Sequence, residues 1–344
     1  MALLFTGACG YIGSHTARVF LERTKENIII LDNLSTGFLE HVKALEYYYP
    51  NRVTFIQASL NETQTLDTFF SKQQLIEPIQ AILHFGAKLL VEESVRLPLE
   101  YYTNNTLNTL ELTKLCLKHK IKHFIFSSTA AVYGETNSSV NEESPLNPIN
   151  PYGASKMMSE RILLDTSKIE DFKCVILRYF NVAGACLKND YSTPYTLGQR
   201  SLNATHLIKI ACECAVGKRK KMGIFGTNYP TIDGTCIRDY IHVDDLANAH
   251  LASYQALLEK NQSEIYNVGY NQGYSVKEVI QKVKEISNND FLVEILDKRA
   301  GDPANLIANN AKILKNTSFK PLYNNLDTII KSALEWEEHL LKFQ

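Results

Sequence analysis

A glycine-rich stretch near the N-terminus gives the first indication of the fold: Leu3-Leu4-Phe5-Thr6-Gly7-Ala8-Cys9-Gly10-Tyr11-Ile12-Gly13-Ser14-His15. A short apolar run enters a Gly-x-x-Gly-x-x-Gly turn, and an amphipathic segment, 12–21, leaves it. This order predicts a strand, a tight loop and a helix, in which glycines let the backbone approach an anion closely. The helix N-terminus adds unpaired N–H groups and a partial positive charge. The residues predicted to hold a pyrophosphate are Gly7, Gly10, Tyr11, Ile12 and Gly13.

A carboxylate follows the second apolar run of the chain. Asp32 closes the run 27–31 and lies 19 residues after Gly13. A carboxylate at this spacing accepts hydrogen bonds from the ribose hydroxyls of an adenosine and repels a 2′-phosphate. The alternative is a glycine-rich turn followed by a solvated aspartate, and glycine spacing alone is a weak signal. The loop, its flanks and Asp32 together favour a dinucleotide, and they predict NAD rather than NADP.

Composition and charge restrict the class of partner. The chain has 344 residues, a formal net charge of −1 and 45% hydrophobic residues, so it can bury a large core and has no basic excess for nucleic acid or an anionic membrane. No apolar run approaches the roughly 20 residues of a membrane span, and no signal pattern opens the chain. We therefore expect a soluble cytoplasmic protein with a small-molecule partner.

The cysteines do not suggest a cross-linked or metal-binding protein. There are seven of them, scattered and odd in number, which does not predict a disulfide framework. We expect buried small apolar side chains, and no metal site is predicted.

The hydrophobic pattern of residues 1–180 alternates short β-branched runs with longer helical segments. Near-continuous apolar runs suit parallel strands buried on both faces, and the helical segments supply the crossovers. We therefore predict an α/β fold with a doubly wound parallel sheet of the Rossmann type. The strands are expected at Leu3–Thr6, Asn27–Leu31, Val53–Gln57, Ala81–Phe85, His123–Ser127 and Cys174–Arg178.

The pattern changes beyond Asn181. A long polar loop, 184–201, is of the kind that often forms a binding segment or a lid. A helix near 207–216 and mixed short elements follow it. We expect an NAD-binding Rossmann domain at 1–180 and a smaller mixed α/β substrate domain at 181–344, from which some chain crosses back to the first sheet. The later strands are expected at Ile237–His242, Glu264–Val268 and Phe291–Leu296.

The candidate catalytic residues lie at the end of the fifth strand and in the helix that follows it. That strand ends in Ser127-Ser128-Thr129, and ligands of open α/β sheets bind at the carboxyl ends of the strands, so we expect these hydroxyls to face the nicotinamide. Tyr152 and Lys156 are four residues apart on a helix begun by Pro151, which places both on one face. A nearby cation would lower the pKa of the tyrosine, which could then take a proton from an alcohol while NAD accepts a hydride.

These motifs resemble those of the extended short-chain dehydrogenases/reductases and, more narrowly, those of the UDP-glucose 4-epimerase family. The broader resemblance rests on the glycine loop, Leu31–Leu34, Tyr101–Asn105, Ser127–Gly134 and Tyr152–Lys156. The narrower one rests on Arg178–Gly184, Asn228–Thr231, Asp233–Thr235, Arg238–Val243 and Arg299–Asp302. Together they cover almost the full length of the chain.

The resemblance implies a reaction. UDP-galactose and UDP-glucose would interconvert by inversion at C4, through a transient 4-keto sugar and bound NADH. Tyr152 would take the proton of the 4-hydroxyl, with Thr129 and Lys156 as its catalytic partners. A homodimer through the helices that begin at Pro98 and Pro151, and a role in galactose metabolism, are also implied.

The resemblance also assigns the remaining site residues. Asn181, Arg238 and Arg299 would reach phosphates, Phe225 would flank uracil, and Asp302 would bind a ribose hydroxyl. Further cofactor contacts would come from Asn33, Ser59, Leu60, Phe85, Asn104, Ser127, Tyr152, Lys156 and Tyr179. Further substrate contacts would come from Thr129, Tyr152, His206, Leu207, Tyr240 and Leu306. Ser59 stands where relatives commonly carry an aspartate, which weakens one expected contact to adenine.

Three alternatives remain open on the sequence. The substrate could be another UDP-sugar, such as an N-acetylhexosamine, a pentose or a uronate; Leu306, expected beside the C2 substituent, argues against an acetamido group. A nucleotide-sugar 4,6-dehydratase would need carboxylates where this chain has Ala130 and Ala131. A non-catalytic NAD-sensing protein usually lacks the tyrosine or the lysine, and both are present here.

Overall fold

In the part of the chain that the structure describes, the strands form one large sheet and two small ones. The structure is a computed structural model that describes residues 1–136, 139–202, 204–299 and 302–343. Its strands are β1 (Ala2–Thr6), β2 (Asn27–Asp32), β3 (Val53–Gln57), β4 (Ile79–His84), β5 (His123–Thr129), β6 (Lys173–Tyr179), β7 (Asn181–Ala183), β8 (Lys221–Phe225), β9 (Ile237–His242), β10 (Glu264–Val268), β11 (Gly273–Ser275), β12 (Leu292–Leu296) and β13 (Asn305–Leu306).

The helices fill the connections between these strands. They are α1 (Tyr11–Arg23), α2 (Leu39–Tyr48), α3 (Thr63–Ile76), α4 (Val91–Arg96), α5 (Pro98–Tyr101), α6 (Asn108–Lys118), α7 (Pro151–Ile169), α8 (Leu207–Ala215), α9 (Val243–Lys260), α10 (Val276–Ser287), α11 (Ala311–Asn316) and α12 (Leu326–Lys342). A π-helical segment, Tyr102–Leu107, joins α5 to α6, and a 3₁₀ turn, Ala130–Val132, follows β5.

The large sheet is parallel throughout and has seven strands in the order β10-β6-β5-β4-β1-β2-β3. The strand order reverses between β1 and β4, which is where ligands bind in doubly wound sheets. Side chains alternate across the sheet, so Leu3 and Phe5 join one buried cluster and Leu4 joins the other. The predicted Rossmann-type fold is confirmed, and the six strands expected in residues 1–180 lie within two residues of their predicted ends.

The C-terminal half is organised around β9. Strands β7 and β13 pair with it in parallel and β11 pairs with it antiparallel, while β8 and β12 form a separate pair. Helices α8, α10 and α12 pack together over a third apolar cluster. Two elements of this half return to the first: β10, expected among the C-terminal strands, pairs with β6, and α9 packs on α1.

Prolines begin two of the helices that position the site. Pro98 lies in the first turn of α5, and Pro151 in the first turn of α7, as predicted. Asn150 caps α7, because its side-chain oxygen accepts the N–H of Gly153 at 2.9 Å.

The structure shows the state of the cysteines, the grouping of possible metal ligands and the character of the helices. All seven cysteines are buried and free, as predicted. Within the described ranges, no three His, Cys, Asp or Glu side chains are grouped to hold a metal ion. Over the same ranges, no helix combines the length and apolar character needed to cross a membrane.

The loop 184–201 is tied down along its length. The Tyr11 hydroxyl donates to the carbonyl of Gly184 at 2.6 Å, and a ring nitrogen of His41 lies 3.0 Å from the carbonyl of Gly198. The indole N–H of Trp336 donates to the carbonyl of Gln199 at 3.0 Å. The loop is therefore packed between the N-terminal helices α1 and α2 and the C-terminal helix α12.

Candidate functional site

The glycine loop after β1 makes a cradle from backbone. Gly7 has a φ of +74°, and a Cβ there would lie 2.5 Å from the nitrogen of Gly86. A Cβ at Gly13 would lie 2.6 Å from the Cα of Ala8, so α1 packs closely against the loop. Among the described residues, no side chain caps α1 at Gly10, which leaves its first N–H groups available. The loop therefore fits the pyrophosphate of a dinucleotide.

Asp32 is fixed beside this cradle by backbone hydrogen bonds. Its carboxylate accepts the N–H of Cys9 at 3.0 Å and the N–H of Leu34 at 2.8 Å, and it is 8% exposed. Burial raises the pKa of Asp32, and these hydrogen bonds lower it. A carboxylate held at the end of β2, next to the loop, is suited to bind a ribose.

Four more of the predicted cofactor residues follow β2, β3 and β4 at the same edge of the sheet. The amide nitrogen of Asn33 donates to the hydroxyl of Ser59 at 3.4 Å. The Leu60 side chain lies against Gly86, and the N–H of Phe85 donates to the carbonyl of Thr6 at 2.9 Å. The structure thus places these residues beside the glycine loop, where their contact with a cofactor stays a prediction.

The candidate catalytic residues meet where β5 ends against α7. The Thr129 side chain is close enough to the Tyr152 phenol to lower its pKa, and the ammonium of Lys156 donates to the carbonyl of Ser127 at 2.7 Å. Tyr179, at the end of the neighbouring strand β6, lies near Tyr152 and the side chain of Ser127, which act on the pKa of Tyr179 in opposite directions. Residues far apart in the chain thus share one polar cluster that could orient and deprotonate an alcohol.

The predicted lowering of the Tyr152 pKa is wrong for the protein alone. Burial raises the pKa of Tyr152, and the nearby Thr129 side chain only partly offsets this rise. Burial also lowers the pKa of Lys156 to about 7. The Lys156 ammonium donates to the Ser127 carbonyl, and desolvation is the largest influence on the pKa of Tyr152.

One of the three predicted strand-end hydroxyls does not face the cofactor side. The Ser128 hydroxyl donates to the buried carboxylate of Glu160. Successive residues of a strand point to opposite faces, so Ser128 cannot share a face with Ser127 and Thr129. The prediction was wrong at Ser128 because it treated the three hydroxyls as one group.

Four of the predicted substrate residues line one cavity between β7, β9 and α8. Asn181 and Tyr240 are opposite each other in the β7–β9 pairing, and His206 and Leu207 begin α8. A ring nitrogen of His206 lies 2.9 Å from the side-chain amide of Gln199. Burial lowers the pKa of His206 to about 4, so its ring is neutral at physiological pH.

The other five predicted substrate residues form an ion pair, a cation–π contact and an apolar contact. An Arg238 nitrogen lies 3.6 Å from a carboxylate oxygen of Asp302, and the Arg299 guanidinium lies 3.5 Å from the centre of the Phe225 ring. Leu306, opposite Arg238 in the β9–β13 pairing, is 8% exposed. Leu306 belongs to a buried cluster with Ala130 and Phe180. The motif residues Ala300 and Gly301 lie outside the described residues.

The prediction listed Asn104 but missed the residue after it. Asn104 donates to the side-chain oxygen of Asn105 at 3.0 Å. Asn105 accepts the N–H of Lys88 at 2.9 Å and donates to the Lys88 carbonyl and the Ser155 hydroxyl, each at 3.0 Å. It therefore joins the loop after β4 to α7 between Tyr152 and Lys156. The asparagine pair was visible in the sequence, but the π-helical geometry that selects the second one was not.

Comparison with known proteins identifies the class of this protein. Residues 3–269 match the NAD dependent epimerase/dehydratase family, and the chain belongs to that family. It is 41% identical to the UDP-glucose 4-epimerase of Azospirillum brasilense over 339 residues, which cover 98% of this chain and 92% of that protein.

Solved structures resemble the chain over its whole length. The UDP-Glc/GlcNAc 4-epimerase from Campylobacter jejuni is 49% identical, with a TM-score of 0.82 over 98% of this chain and 99% of that one. The UDP-glucose-4-epimerase from Stenotrophomonas maltophila, solved with NAD and formylated UDP-arabinopyranose, is 29% identical, with a TM-score of 0.91 over 100% of both chains. The predicted family, the NAD cofactor and the enzyme class, an NAD-dependent epimerase, are confirmed.

Proposed function

We propose that this chain interconverts UDP-galactose and UDP-glucose by inverting the configuration at C4. The observation that carries the proposal is the cluster of Thr129, Tyr152 and Lys156 at the end of β5, in a chain of the NAD-dependent epimerase family. The predicted UDP-hexose substrate agrees with the activity for which its relatives are named.

The residues of the cluster have distinct proposed roles. Tyr152 takes the proton of the 4-hydroxyl and later returns it, and Thr129, whose side chain lies near the Tyr152 phenol, orients that hydroxyl by hydrogen-bonding it. Lys156 supplies a buried positive charge to the cluster, next to the Ser127 carbonyl. NAD, when bound, supplies the acceptor for the hydride of C4. Because inversion leaves no net redox change, the same cluster serves both directions of the reaction.

The nucleotide would be held by the C-terminal half. Arg238 and Arg299 provide cations for the two phosphates, and Asn181 adds an amide from β7. Phe225 offers a ring to uracil and Asp302 an acceptor to the ribose. In this proposal residues 1–180 hold NAD and most of residues 181–344 hold the UDP-sugar.

UDP-N-acetylhexosamines are the second candidate substrates. The Campylobacter jejuni protein, 49% identical, is described as acting on both Glc and GlcNAc nucleotides. The predicted position of Leu306 beside the C2 substituent argues for the unacetylated sugars. The preference is therefore a separate proposal from the C4 chemistry.

The assembly proposed is a homodimer through the faces of α5–α6 and α7. These faces expose apolar side chains around one groove, including Leu107 at 46% and Met158 at 42% exposure. A second copy could cover this surface as a helix-on-helix contact. Sedimentation at micromolar concentration should give the mass of a dimer, and a clean monomer would contradict the assembly. The cytoplasmic location, the role in galactose metabolism and the absence of nucleic-acid or membrane partners stay predictions.

The proposed function is tested by identifying the product that the purified protein forms. Purified protein incubated with UDP-galactose and NAD should form UDP-glucose, and the reverse reaction should reach the same equilibrium mixture. A 4-keto-6-deoxy sugar would instead identify a dehydratase. Binding of NAD without any turnover of UDP-hexoses would favour the non-catalytic NAD-sensing protein.

A further inference from the structure

A buried ion pair lies directly behind the catalytic cluster. Glu160 on α7 is 1% exposed and Arg178 on β6 is 2% exposed. Arg178 makes a two-pronged contact, with Nη2 2.6 Å from Oε2 and Nε 3.0 Å from Oε1 of Glu160. The Ser128 hydroxyl of β5 donates to the same carboxylate. Glu160 therefore joins three elements of the fold at one point.

Each partner in this contact is adjacent to a residue of the proposed site. Ser128 immediately precedes Thr129, and Arg178 immediately precedes Tyr179. Glu160 itself lies one helical turn after Lys156 and two turns after Tyr152 on α7. A shift of any one element relative to the other two would therefore displace a different part of the cluster.

We propose that Glu160 is a positioning residue of the epimerase site, which ties β5, β6 and α7 together so that Thr129, Tyr179 and the Tyr152–Lys156 pair keep their mutual geometry. This inference rests on the proposed function. The carboxylate acts through its neighbours, and none of the reacting atoms need touch it.

A second effect of Glu160 is electrostatic. Burial lowers the pKa of Lys156 to about 7, and the negative charge of Glu160 acts in the opposite direction. Another titratable group near Lys156 is His84 on β4; Tyr152 lies four residues earlier on α7 with Tyr179 of β6 near it, and Arg178 lies behind Glu160. His84 is neutral because burial lowers its pKa to about 3. Glu160 is thus the anion that helps Lys156 keep its proton.

Stability alone is a weak reason for such a pair. Burying two charges costs desolvation free energy that their attraction often only balances. The C-terminal half contains a comparable pair, in which Glu337 is 2% exposed and lies 2.5 Å from the ammonium of Lys209. The two pairs are similarly buried, but Lys209 and Glu337 line the cavity of Asn181 and Tyr240 and do not contact the catalytic cluster, so the pH limb rather than KM is the readout on which they can be compared.

The experiment compares Glu160→Gln with Glu337→Gln in the NAD-loaded enzyme. Removing the Glu160 charge makes the Lys156 ammonium less favourable, so the alkaline limb of the kcat profile should move to lower pH by about 1 unit. We also expect kcat to fall about 10-fold while KM changes little, because the proposed nucleotide contacts of the C-terminal half stay in place. Glu337→Gln should lower the melting temperature but leave the position of the alkaline limb unchanged.

A second readout does not depend on turnover. Calorimetric titration of nucleotide-free protein with NAD between pH 6 and 9 should show the same downward shift for Glu160→Gln, since Lys156 is a predicted cofactor contact. An unchanged limb in both measurements would overturn the proposal, as would equal pH profiles and equal losses of kcat in the two Gln variants.

A milder variant covers the case in which Glu160→Gln does not fold. Ser128→Ala removes one hydroxyl contact to the carboxylate and keeps both charges. Its kcat should fall about 3- to 10-fold while its melting temperature stays at the wild-type value, and its pH profile should not shift. A wild-type kcat in Ser128→Ala would contradict the proposal. If the wild-type protein itself does not epimerise UDP-hexoses, it is the proposed function that fails.

Discussion

The proposed cofactor end of the site is built from backbone, whereas the proposed nucleotide end is built from charged side chains. At the first, the glycine loop and the uncapped start of α1 present N–H groups beside Asp32. At the second, Arg238 and Arg299 project from separate parts of the C-terminal half. One end depends on the local course of a strand, loop and helix, and the other on how distant segments assemble.

This difference suits the proposed chemistry. A backbone cradle holds a cofactor that stays in place, because its geometry is fixed by the sheet and the helix. Ionic side chains can grip a diphosphate firmly while the sugar attached to it keeps room to turn. The catalytic cluster at the end of β5 would then act on a sugar that presents either face.

The largest effect is expected at the junction of the two ends, in Tyr152→Phe. Loss of a general acid/base group typically lowers a rate by about 10²- to 10⁴-fold, so kcat should fall by at least about 100-fold. NAD binding should persist, because the cradle is unchanged. Tyr254→Phe, which removes a hydroxyl that donates to Gln80 on the far side of the sheet, is the control. Equal rates in wild type and Tyr152→Phe would refute the role of Tyr152.

Arg238→Ala should affect the nucleotide end alone. The loss of one charge-assisted contact to a phosphate is expected to raise KM for UDP-galactose about 100-fold, with NAD affinity unchanged. The exposed Arg161→Ala, which breaks an ion pair with Asp165 on the outer face of α7, is the matched control. A KM within about twofold of wild type in Arg238→Ala would show that the phosphates are held elsewhere.

Asp32→Ala should affect the cofactor end alone. The ribose hydroxyls lose a charged acceptor, so NAD affinity should fall about 30-fold, and NADP should no longer be excluded. Asp245→Ala is a suitable control, because this buried carboxylate also accepts backbone N–H groups, from Leu322 and Tyr323. Calorimetric titration with both dinucleotides is the measurement. Unchanged NAD affinity in Asp32→Ala would contradict the proposed ribose contact.

The smallest expected effect concerns the sugar. Leucine is stiffer and bulkier than serine, so the wild type should prefer unacetylated sugars by roughly 10- to 200-fold, and Leu306→Ser should reduce this preference about 10-fold. Val140→Ala makes a cavity in the same buried cluster and serves as the control. The measurement is kcat/KM for UDP-galactose and UDP-N-acetylgalactosamine. Comparable wild-type values, or no gain in the serine variant, would show that Leu306 is not the selective residue.

The same contrast explains what could be predicted from the sequence. The cofactor end follows from short-range patterns: apolar runs, glycine spacing and the aspartate that ends β2 all lie within 32 residues. The positions of Thr129, Tyr152 and Lys156 follow from strand ends and helix spacing. These signals are local, and the fold class depends on little else.

The remainder depends on burial and on long-range contacts. The pKa of Tyr152 is set by desolvation, which a four-residue spacing does not report. The Ser128 side chain points away from Ser127 and Thr129 because side chains alternate along a strand. The contacts of Asn105 depend on a π-helical turn. The stacking of Arg299 on Phe225 joins residues 74 positions apart, so only the resemblance to a family could bring them together before the structure was known.

The most direct test of the central claim is the fate of the hydrogen at C4. Wild-type enzyme incubated in ordinary water with UDP-galactose carrying deuterium at C4 should yield UDP-glucose with the deuterium still at C4, because the hydrogen removed from that carbon is returned to it. Mass spectrometry and NMR of the product locate the label. Deuterium lost to solvent, or found at C6, would contradict epimerisation by transient oxidation at C4.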